Sequence, residues 1–310
     1  MSRILVTGGA GFIGFNFSKY ALSLGHEITI LDSLIGSSIS KDEIIHSGMK
    51  FIEQDITTLD NLTVDNNQFD SIIHLAAQTS VQYSILHPQE TQETNINGTA
   101  AVFRFAKRFN VGRVIVASSS AVYGDSKEEI HRIGTEGNQI SPYAMTKHEN
   151  EKQVLNHRVG GFEAIALRFF NVFGPGQTST GTYAAVIPTF IEKITDDAPC
   201  TIFGDGLQTR DFIYVQDVME LLLKLATINS LNTKSHVYNV GTGIGTTVKE
   251  IGTIISELLG HSEFNFITQP QREGDVLHSI AETTRTEMDL KWKPRFSVRQ
   301  GLEQIVERKS

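Results

Sequence analysis

Arg3-Ile-Leu-Val-Thr-Gly-Gly-Ala-Gly-Phe-Ile-Gly14 opens the chain and decides how it begins to fold. Ile4 to Val6 is a short apolar run that predicts a buried strand. Glycines follow at 8, 9, 11 and 14, and from Phe15 to about Leu24 the pattern turns helical. A strand, a glycine turn and a helix start form an anion site, because free backbone N–H groups and the helix dipole converge on one spot. Glycine lets the turn close, lets a pyrophosphate approach the backbone and lets helix and strand touch. The spacing is G-x-x-G-x-x-G rather than the commoner G-x-G-x-x-G, so the glycines alone also suit an ordinary strand-to-helix turn. Glu27 to Leu31 predicts a second strand ending at Asp32, 21 residues after Gly11. An acid at that point meets a ribose 2′-hydroxyl, and the two parts together predict a dinucleotide site.

The chain has 310 residues, 40% hydrophobic and 20% charged, enough for a large core and two lobes. A formal charge of −8 argues against a nucleic-acid or anionic-membrane partner, so any phosphate must be held locally by a few Arg residues and backbone amides. With one cysteine, Cys200, no intrachain disulfide is possible, and a reducing compartment, the cytoplasm, is expected. No uncharged apolar run approaches a membrane span. Arg3 before apolar residues mimics a signal peptide, but the glycine turn ends that run after about four residues.

Further along, Met49 to Glu53 predicts a third strand, followed by Gln54-Asp55-Ile56. Asp55 suits a turn, or a bond to an adenine amino group. Phe69 to Leu75 predicts a fourth strand leading into Ala76-Ala77-Gln78, small residues that suit a ligand crossing a strand's carboxyl end. Thr94 to Phe109 has helical periodicity and carries Asn95 and Asn97, the latter expected on a solvated face. Arg113 to Ala117 predicts a strand running into Ser118-Ser119-Ser120-Ala121-Val122-Tyr123-Gly124, and Ser141-Pro142-Tyr143 starts a helix. Glu163 to Leu167 is another strand, ending in Arg168-Phe169-Phe170-Asn171-Val172-Phe173-Gly174-Pro175. This alternation predicts an α/β fold with a parallel, doubly wound sheet. Past Pro175 the elements shorten and mix. Asp217, with Glu220 three residues on, predicts a helix start; Val237 to Val240 a strand rejoining the sheet; and Thr247 a helix to Leu259. The expected organisation is a dinucleotide-binding domain over 1–170, with returning segments near 212–240, and an interleaved second lobe over 171–310.

Tyr143 and Lys147 are four apart on the predicted helix and share one face. A free tyrosine, with a pKa near 10, is a poor base at pH 7, and a neighbouring ammonium favours the phenolate. A surface Tyr–Lys pair is the commoner meaning of this spacing. The serine run closing a strand upstream favours chemistry, because Ser119 or a neighbour can hydrogen-bond the same substrate hydroxyl.

Gly8 to Gly14, Asp32, Ser118 to Gly124 and Tyr143/Lys147 together resemble the extended branch of the short-chain dehydrogenase/reductases. Within it they resemble the NAD-dependent epimerase/dehydratase family and its nucleotide-sugar 4-epimerases. The likeness runs nearly the whole chain, through Leu-Lys-Trp-Lys-Pro294. It implies a Rossmann-type fold with NAD held by Gly8, Gly11, Phe12, Ile13, Gly14, Asp32, Asp55, Ile56, Leu75, Ala76, Ala77, Asn95, Tyr143, Lys147 and Phe170. It implies Ser119 as the catalytic serine, Tyr143 as the base and Lys147 as its partner, with Phe169 and Phe170 near the nicotinamide. Ser119 and Tyr143 would meet the sugar, Asn171, Arg210 and Arg272 the diphosphate, and Phe203 the uracil. Val186, Asp275 and Ser279 would line the rest of the substrate site, with Ser279 the gate beside the sugar's C2 substituent. Each arginine also has a ready surface partner, Asp211 or Glu273.

The implied reaction is 4-epimerisation of UDP-hexoses, UDP-glucose and also UDP-N-acetylglucosamine, through a transient 4-keto sugar and with no metal. In the resembling dehydratases an Asp-Glu pair follows the catalytic serine; here those positions are Ser120 and Ala121, and alanine transfers no proton. Other NAD-dependent nucleotide-sugar oxidoreductases and an NAD-sensing regulator are the remaining alternatives. The resemblance also implies a homodimer, pairing the helices near 94–109 and 143–157 into a four-helix bundle.

Overall fold

The structure, a computed structural model, describes residues 1–37, 39–65, 68–179, 185–270 and 276–307. The chain divides into two compact units. The first comprises Met1–Gly124, Gly137–Phe169 and Met219–Tyr238, and the second Asp125–Glu136, Phe170–Val218 and Asn239–Ser310.

In chain order, β1 (Arg3–Thr7), α1 (Phe12–Ser23), β2 (Glu27–Asp32), α2 (Lys41–His46) and β3 (Lys50–Glu53) come first. A 3-10 turn at Ile56–Asn61, β4 (Ser71–His74), α3 (Val81–Leu86) and α4 (Pro88–Gln92) follow. A π-helical turn at Glu93–Asn97 then leads into α5 (Gly98–Arg108) and β5 (Arg113–Ser119). After β6 (Ile130–His131) come α6 (Pro142–Val159), β7 (Glu163–Phe169), β8 (Asn171–Phe173), α7 (Val186–Thr195), β9 (Cys200–Phe203), β10 (Thr209–Tyr214) and α8 (Val215–Thr227). The rest is β11 (Val237–Val240), β12 (Gly245–Thr247), α9 (Val248–Leu258), β13 (Phe266–Gln269), β14 (His278–Ala281), α10 (Thr284–Leu290) and α11 (Val298–Val306).

The large sheet has the order β11-β7-β5-β4-β1-β2-β3. From β7 to β3 every neighbouring pair is parallel. Its strands read as unbroken apolar runs because helices cover both faces. Ile4, Leu5, Val6, Ile72, Ile73 and Val114 are fully buried. The chain winds one way from β1 to β2 and β3, and the other way through β4, β5 and β7. The order therefore reverses between β1 and β4, where open α/β sheets bind ligands at the strands' carboxyl ends. There Thr7 and His74 are register partners. In the second unit β12-β10-β14-β6 form one sheet, with β8 also pairing β10, and β13 pairs β9.

The expected doubly wound α/β sheet is thus present, with two local differences. The helix expected over 94–109 is regular only from Gly98, because the turn before it is π-helical. Asp217 does not cap a helix. α8 begins two residues earlier, and the buried Asp217 carboxylate instead accepts the N–H groups of Arg295 and Phe296 at 2.9 and 3.2 Å. A tertiary bond to a distant segment has taken the acid that a local pattern assigned to a cap. Thr247 does cap α9, in a reciprocal capping box with Glu250.

Candidate active site

At the end of β1, Gly8 has φ +70°, and a Cβ there would stand 2.5 Å from Ala76 N. A Cβ on Gly14 would stand 2.3 Å from Gly8 O. Neither approach is possible for a real side chain, whereas at Gly11 the nearest atom is 3.3 Å away. The missing side chains leave a bare backbone cradle at the first turn of α1. There the amides of Phe12, Ile13 and Gly14 have no intrahelical carbonyl to bond. A pyrophosphate fits such a cradle. Asp32 closes it from the side: Oδ2 accepts the Ala10 N–H at 3.0 Å and Oδ1 the Leu34 N–H at 2.8 Å. Leu75 N–H donates to Thr7 O at 3.0 Å, which draws Leu75-Ala76-Ala77 along the glycine turn. Asp55 serves as a turn residue, its Oδ1 accepting the Thr57 N–H at 2.8 Å. Ile56 is buried and packs on Gly98, where a Cβ would come within 2.6 Å of Ile56 Cδ1.

Two strands away, β5 runs on to Ser119, so that the serines end a strand rather than begin a loop. Ser119 Oγ accepts the Ala121 N–H at 3.1 Å and stands beside the Tyr143 phenol. Ser141 caps α6 through the Ala144 N–H at 3.1 Å, with Pro142 in the first turn. That cap presents Tyr143, 8% exposed, and Lys147, 4% exposed, on the face turned to β5. Lys147 Nζ donates to Ala117 O at 2.8 Å and lies 5.9 Å from the Tyr143 ring centroid. Burial lowers Lys147 to about 8, with the Glu151 carboxylate opposing the fall. Burial raises the Tyr143 phenol, and the Ser119 hydrogen bond pulls it partly back. The sequence expectation of a phenol lowered by Lys147 is corrected in this respect. The ammonium bonds Ala117 O rather than the phenol oxygen, and desolvation dominates. Phe169 is the β7 register partner of Ser119.

Beneath these groups runs a buried polar relay that the sequence reading missed. Thr7 Oγ1 meets His74 Nδ1 at 2.7 Å, and His74 Nε2 meets Thr99 Oγ1 at 2.9 Å. Thr99 donates its own proton to Asn95 O at 2.6 Å, so Nε2 of His74 must be the donor and Nδ1 the acceptor. His74 stays neutral, its pKa pushed down to about 3 by burial and by the Lys147 charge. Asn95, 1% exposed, lies in the π-helical turn, a feature frequent at functional sites. Its side chain bonds Gln78 N and O at 2.8 and 3.0 Å and Thr146 Oγ1 at 3.0 Å. The expected cofactor residue Asn95 therefore ties the loop after β4 to α6, with its amide already engaged. Asn97 is exposed as expected, and its amide bonds Glu93.

The second unit holds the other expected residues. Asn171 is exposed on β8 and Phe170 is buried just before it. Val186 is the first residue of α7, and Phe203 ends β9, its carbonyl accepting Gln208 Nε2 at 2.9 Å. Arg210 on β10 and Ser279 on β14 are register partners. Arg210 Nη1 donates to Thr209 O at 2.9 Å. Beneath Arg210, the buried Asp211 accepts the N–H groups of Thr242, Gly243 and Ala281 at 2.7, 2.8 and 3.1 Å. Asp211 thus fastens three segments instead of pairing with Arg210. Arg272 and Asp275 lie outside the described residues, as does the segment Thr182-Tyr183-Ala184.

Residues 4–241 match the NAD dependent epimerase/dehydratase family. The chain belongs to that family. It is 32% identical over 317 residues to a UDP-glucose 4-epimerase of Mycolicibacterium smegmatis, covering 98% of this chain and 97% of that protein. Among solved structures it is similar to the UDP-N-acetylglucosamine 4-epimerase from Methanobrevibacter ruminantium, with a TM-score of 0.88 at 31% identity over 99% and 97% of the two chains. It is also similar to the Thermus thermophilus UDP-glucose 4-epimerase in complex with NAD, with a TM-score of 0.85 at 29% identity over 98% of each chain. Other similar proteins are a UDP-N-acetyl-alpha-D-glucosaminuronate decarboxylase at 29% identity and an NDP-hexosamine 5,6-dehydratase at 25%. This member of the epimerase/dehydratase family is an NAD-dependent enzyme, and the glycine cradle with Asp32 fits that dinucleotide. Among the described residues no helix is long and apolar enough to cross a membrane.

Proposed function

We propose that this enzyme is a UDP-hexose 4-epimerase, acting on UDP-glucose and UDP-N-acetylglucosamine through a transient 4-keto sugar. The observation that carries the reading is the strand end at 119–121. Ser119 ends β5 beside the Tyr143 phenol, while the next positions, Ser120 and Ala121, form a 3-10 turn with no carboxyl group. A dehydratase needs an acid there to expel water, and the related decarboxylases carry a glutamate where Ala121 stands.

NAD, when bound, supplies the reversible hydride acceptor at sugar C4. Tyr143 takes the proton of the sugar 4-hydroxyl and returns it after the ketone has turned over. Ser119 holds the same oxygen. Lys147 stays cationic below its pKa of about 8 and would hold the nicotinamide ribose, and together with a cationic nicotinamide it would offset the burial that raises the phenol. The first unit carries the dinucleotide residues other than Phe170. In the second, Asn171, Arg210 and Arg272 hold the diphosphate, Phe203 stacks on uracil, and Val186 and Asp275 line the sugar. Ser279 is small enough to admit an N-acetyl group. Two copies pair through α5 and α6, the latter exposing Met145, Leu155 and Val159; light scattering is expected to give a dimer mass.

The deciding experiment follows inversion at C4 by NMR with UDP-glucose and UDP-N-acetylglucosamine. Both are expected to invert with no net NADH release. Net loss of water, loss of CO2 from a uronic acid, or accumulation of free NADH would instead assign the other chemistries. Ser279→Tyr is expected to lower kcat/KM for the acetylated sugar selectively, by about tenfold, the scale of one pocket contact.

A further inference from the structure

Glu151 is 3% exposed and sits one turn beyond Lys147 on α6. A buried carboxylate persists only when it is paired and hydrogen-bonded. Its Oε1 accepts the Ser118 hydroxyl at 2.5 Å and the Arg168 Nε–H at 2.7 Å, and its Oε2 accepts the Arg168 Nη2–H at 2.7 Å. Ser118 and Arg168 are register partners on β5 and β7, so one carboxylate clasps a cross-strand pair. Arg168 is also 3% exposed, and its guanidinium lies 4.7 Å from the Tyr123 ring centroid. The same strand end is bonded to α6 once more, by Lys147 at Ala117 O, and Ser119 stands beside the Tyr143 phenol. Tyr143, Lys147 and Glu151 are each four apart and form one stripe of the helix. Each meets one of three consecutive strand residues.

We propose that Glu151, locked by Arg168, is a positioning residue that sets the register of α6 against the end of β5 and so places Tyr143 and Lys147. A buried ion pair adds little stability over apolar residues of the same volume. What it adds is geometry. Apolar contacts tolerate a small slide along the helix axis, whereas a two-pronged fork plus a hydroxyl bond closes in one register. The carboxylate also sets the charge around Lys147. The titratable and charged groups there are Tyr143, Glu151 and His148 on α6, with His148 Nδ1 3.9 Å from Glu151 Oε2, His74 on β4, His236 just before β11, and Arg168 bound to Glu151 from β7. His74 is neutral above about 3, so the Glu151 carboxylate is the anion of this set.

The inference rests on the reading of Tyr143 and Lys147 as the reacting pair. The test compares Glu151→Gln, the apolar double variant Glu151→Leu/Arg168→Met and Ser118→Ala with the wild type, all loaded with NAD. Unfolding temperature and NAD affinity are read without any sugar, and turnover is read with UDP-glucose across pH. Both Glu151 variants are expected to lose about tenfold in kcat while neutral-pH NAD affinity stays within about threefold. In Glu151→Gln the alkaline midpoint of turnover is expected to fall by about one pH unit, as the ammonium loses its neighbouring anion while the Arg168 cation stays. Ser118→Ala is expected to lose about threefold in kcat. A folded double variant with wild-type kcat overturns the proposal, because the pair then serves stability alone. Should neither Glu151 variant fold, unchanged kcat in Ser118→Ala overturns it. A wild type that binds NAD yet turns over no UDP-sugar defeats the epimerase reading instead, and the alkaline midpoint of NAD binding then carries the same comparison.

Discussion

Two strand ends of one sheet do different work by different means. The end of β1 acts through backbone and absent side chains: Gly8 and Gly14 leave room, and the first amides of α1 face it. The end of β5 acts through side chains held by another helix, with Ala117 and Ser118 bonded to Lys147 and Glu151 and Ser119 beside Tyr143. The first kind of site needs only a spacing along the chain. The second needs a helix delivered at the right height from residues more than twenty positions away. Damage should therefore separate, with the β1 end governing cofactor affinity and the β5 end governing turnover.

The sharpest way to break that separation is Tyr143→Phe. Turnover is expected to fall by about a thousandfold, the scale of a lost general base, with NAD affinity unchanged. A matching loss of NAD affinity, measured by calorimetry, would merge the two ends into one. Gly14→Ala probes the other side. Helix propensity alone predicts a gain of about 1 kcal/mol from this change, but the new Cβ would meet Gly8 O at 2.3 Å. NAD affinity is expected to drop by roughly thirtyfold, the scale of local backbone strain.

Asp32 sharpens the cofactor end further. Its carboxylate would face the 2′-phosphate of NADP, a repulsion of about 4 kcal/mol at 4 Å in a surface-like dielectric before salt screening. NAD is expected to bind at least about tenfold more tightly than NADP. Asp32→Asn, which keeps an acceptor for the Ala10 N–H, is expected to erase most of that ratio. Equal binding of both dinucleotides by the wild type would remove Asp32 from the role. The smallest effect is on pH. Lys147, lowered to about 8 by burial, is charged below that value and neutral above it. Turnover is expected to be about halved near pH 8 and to keep falling as pH rises.

Much of the first site was legible because its signals are local. The glycine spacing and the acid after the second strand each act within a few residues, as does Ser141-Pro142 at the start of α6 in the other site. Asp217 shows where local reading fails: an acid three residues before Glu220 reads as a cap, yet its carboxylate bonds Arg295 and Phe296. Glu151 was within reach, since it continues the spacing Tyr143, Lys147 by one more turn. What hid it was the usual meaning of a helical glutamate, a solvated face. Its partners Ser118 and Arg168 are 33 and 17 residues away.

The sequence by itself determined the periodicities that make a doubly wound sheet, the bare turn that takes a dinucleotide, and the residue types that can move a proton at a sugar hydroxyl. These follow from hydrophobic spacing, from the missing Cβ of glycine and from side-chain chemistry, none of which needs a third dimension. Only the tertiary structure decided which groups are desolvated and which are bonded to each other. It put Tyr143 above its ordinary pKa and Lys147 near 8, made His74 a neutral link with a fixed donor nitrogen, and turned Asn95 and Glu151 into clamps. Burial and hydrogen bonding are properties of neighbours in space, and those neighbours come together only when distant strands and helices pack.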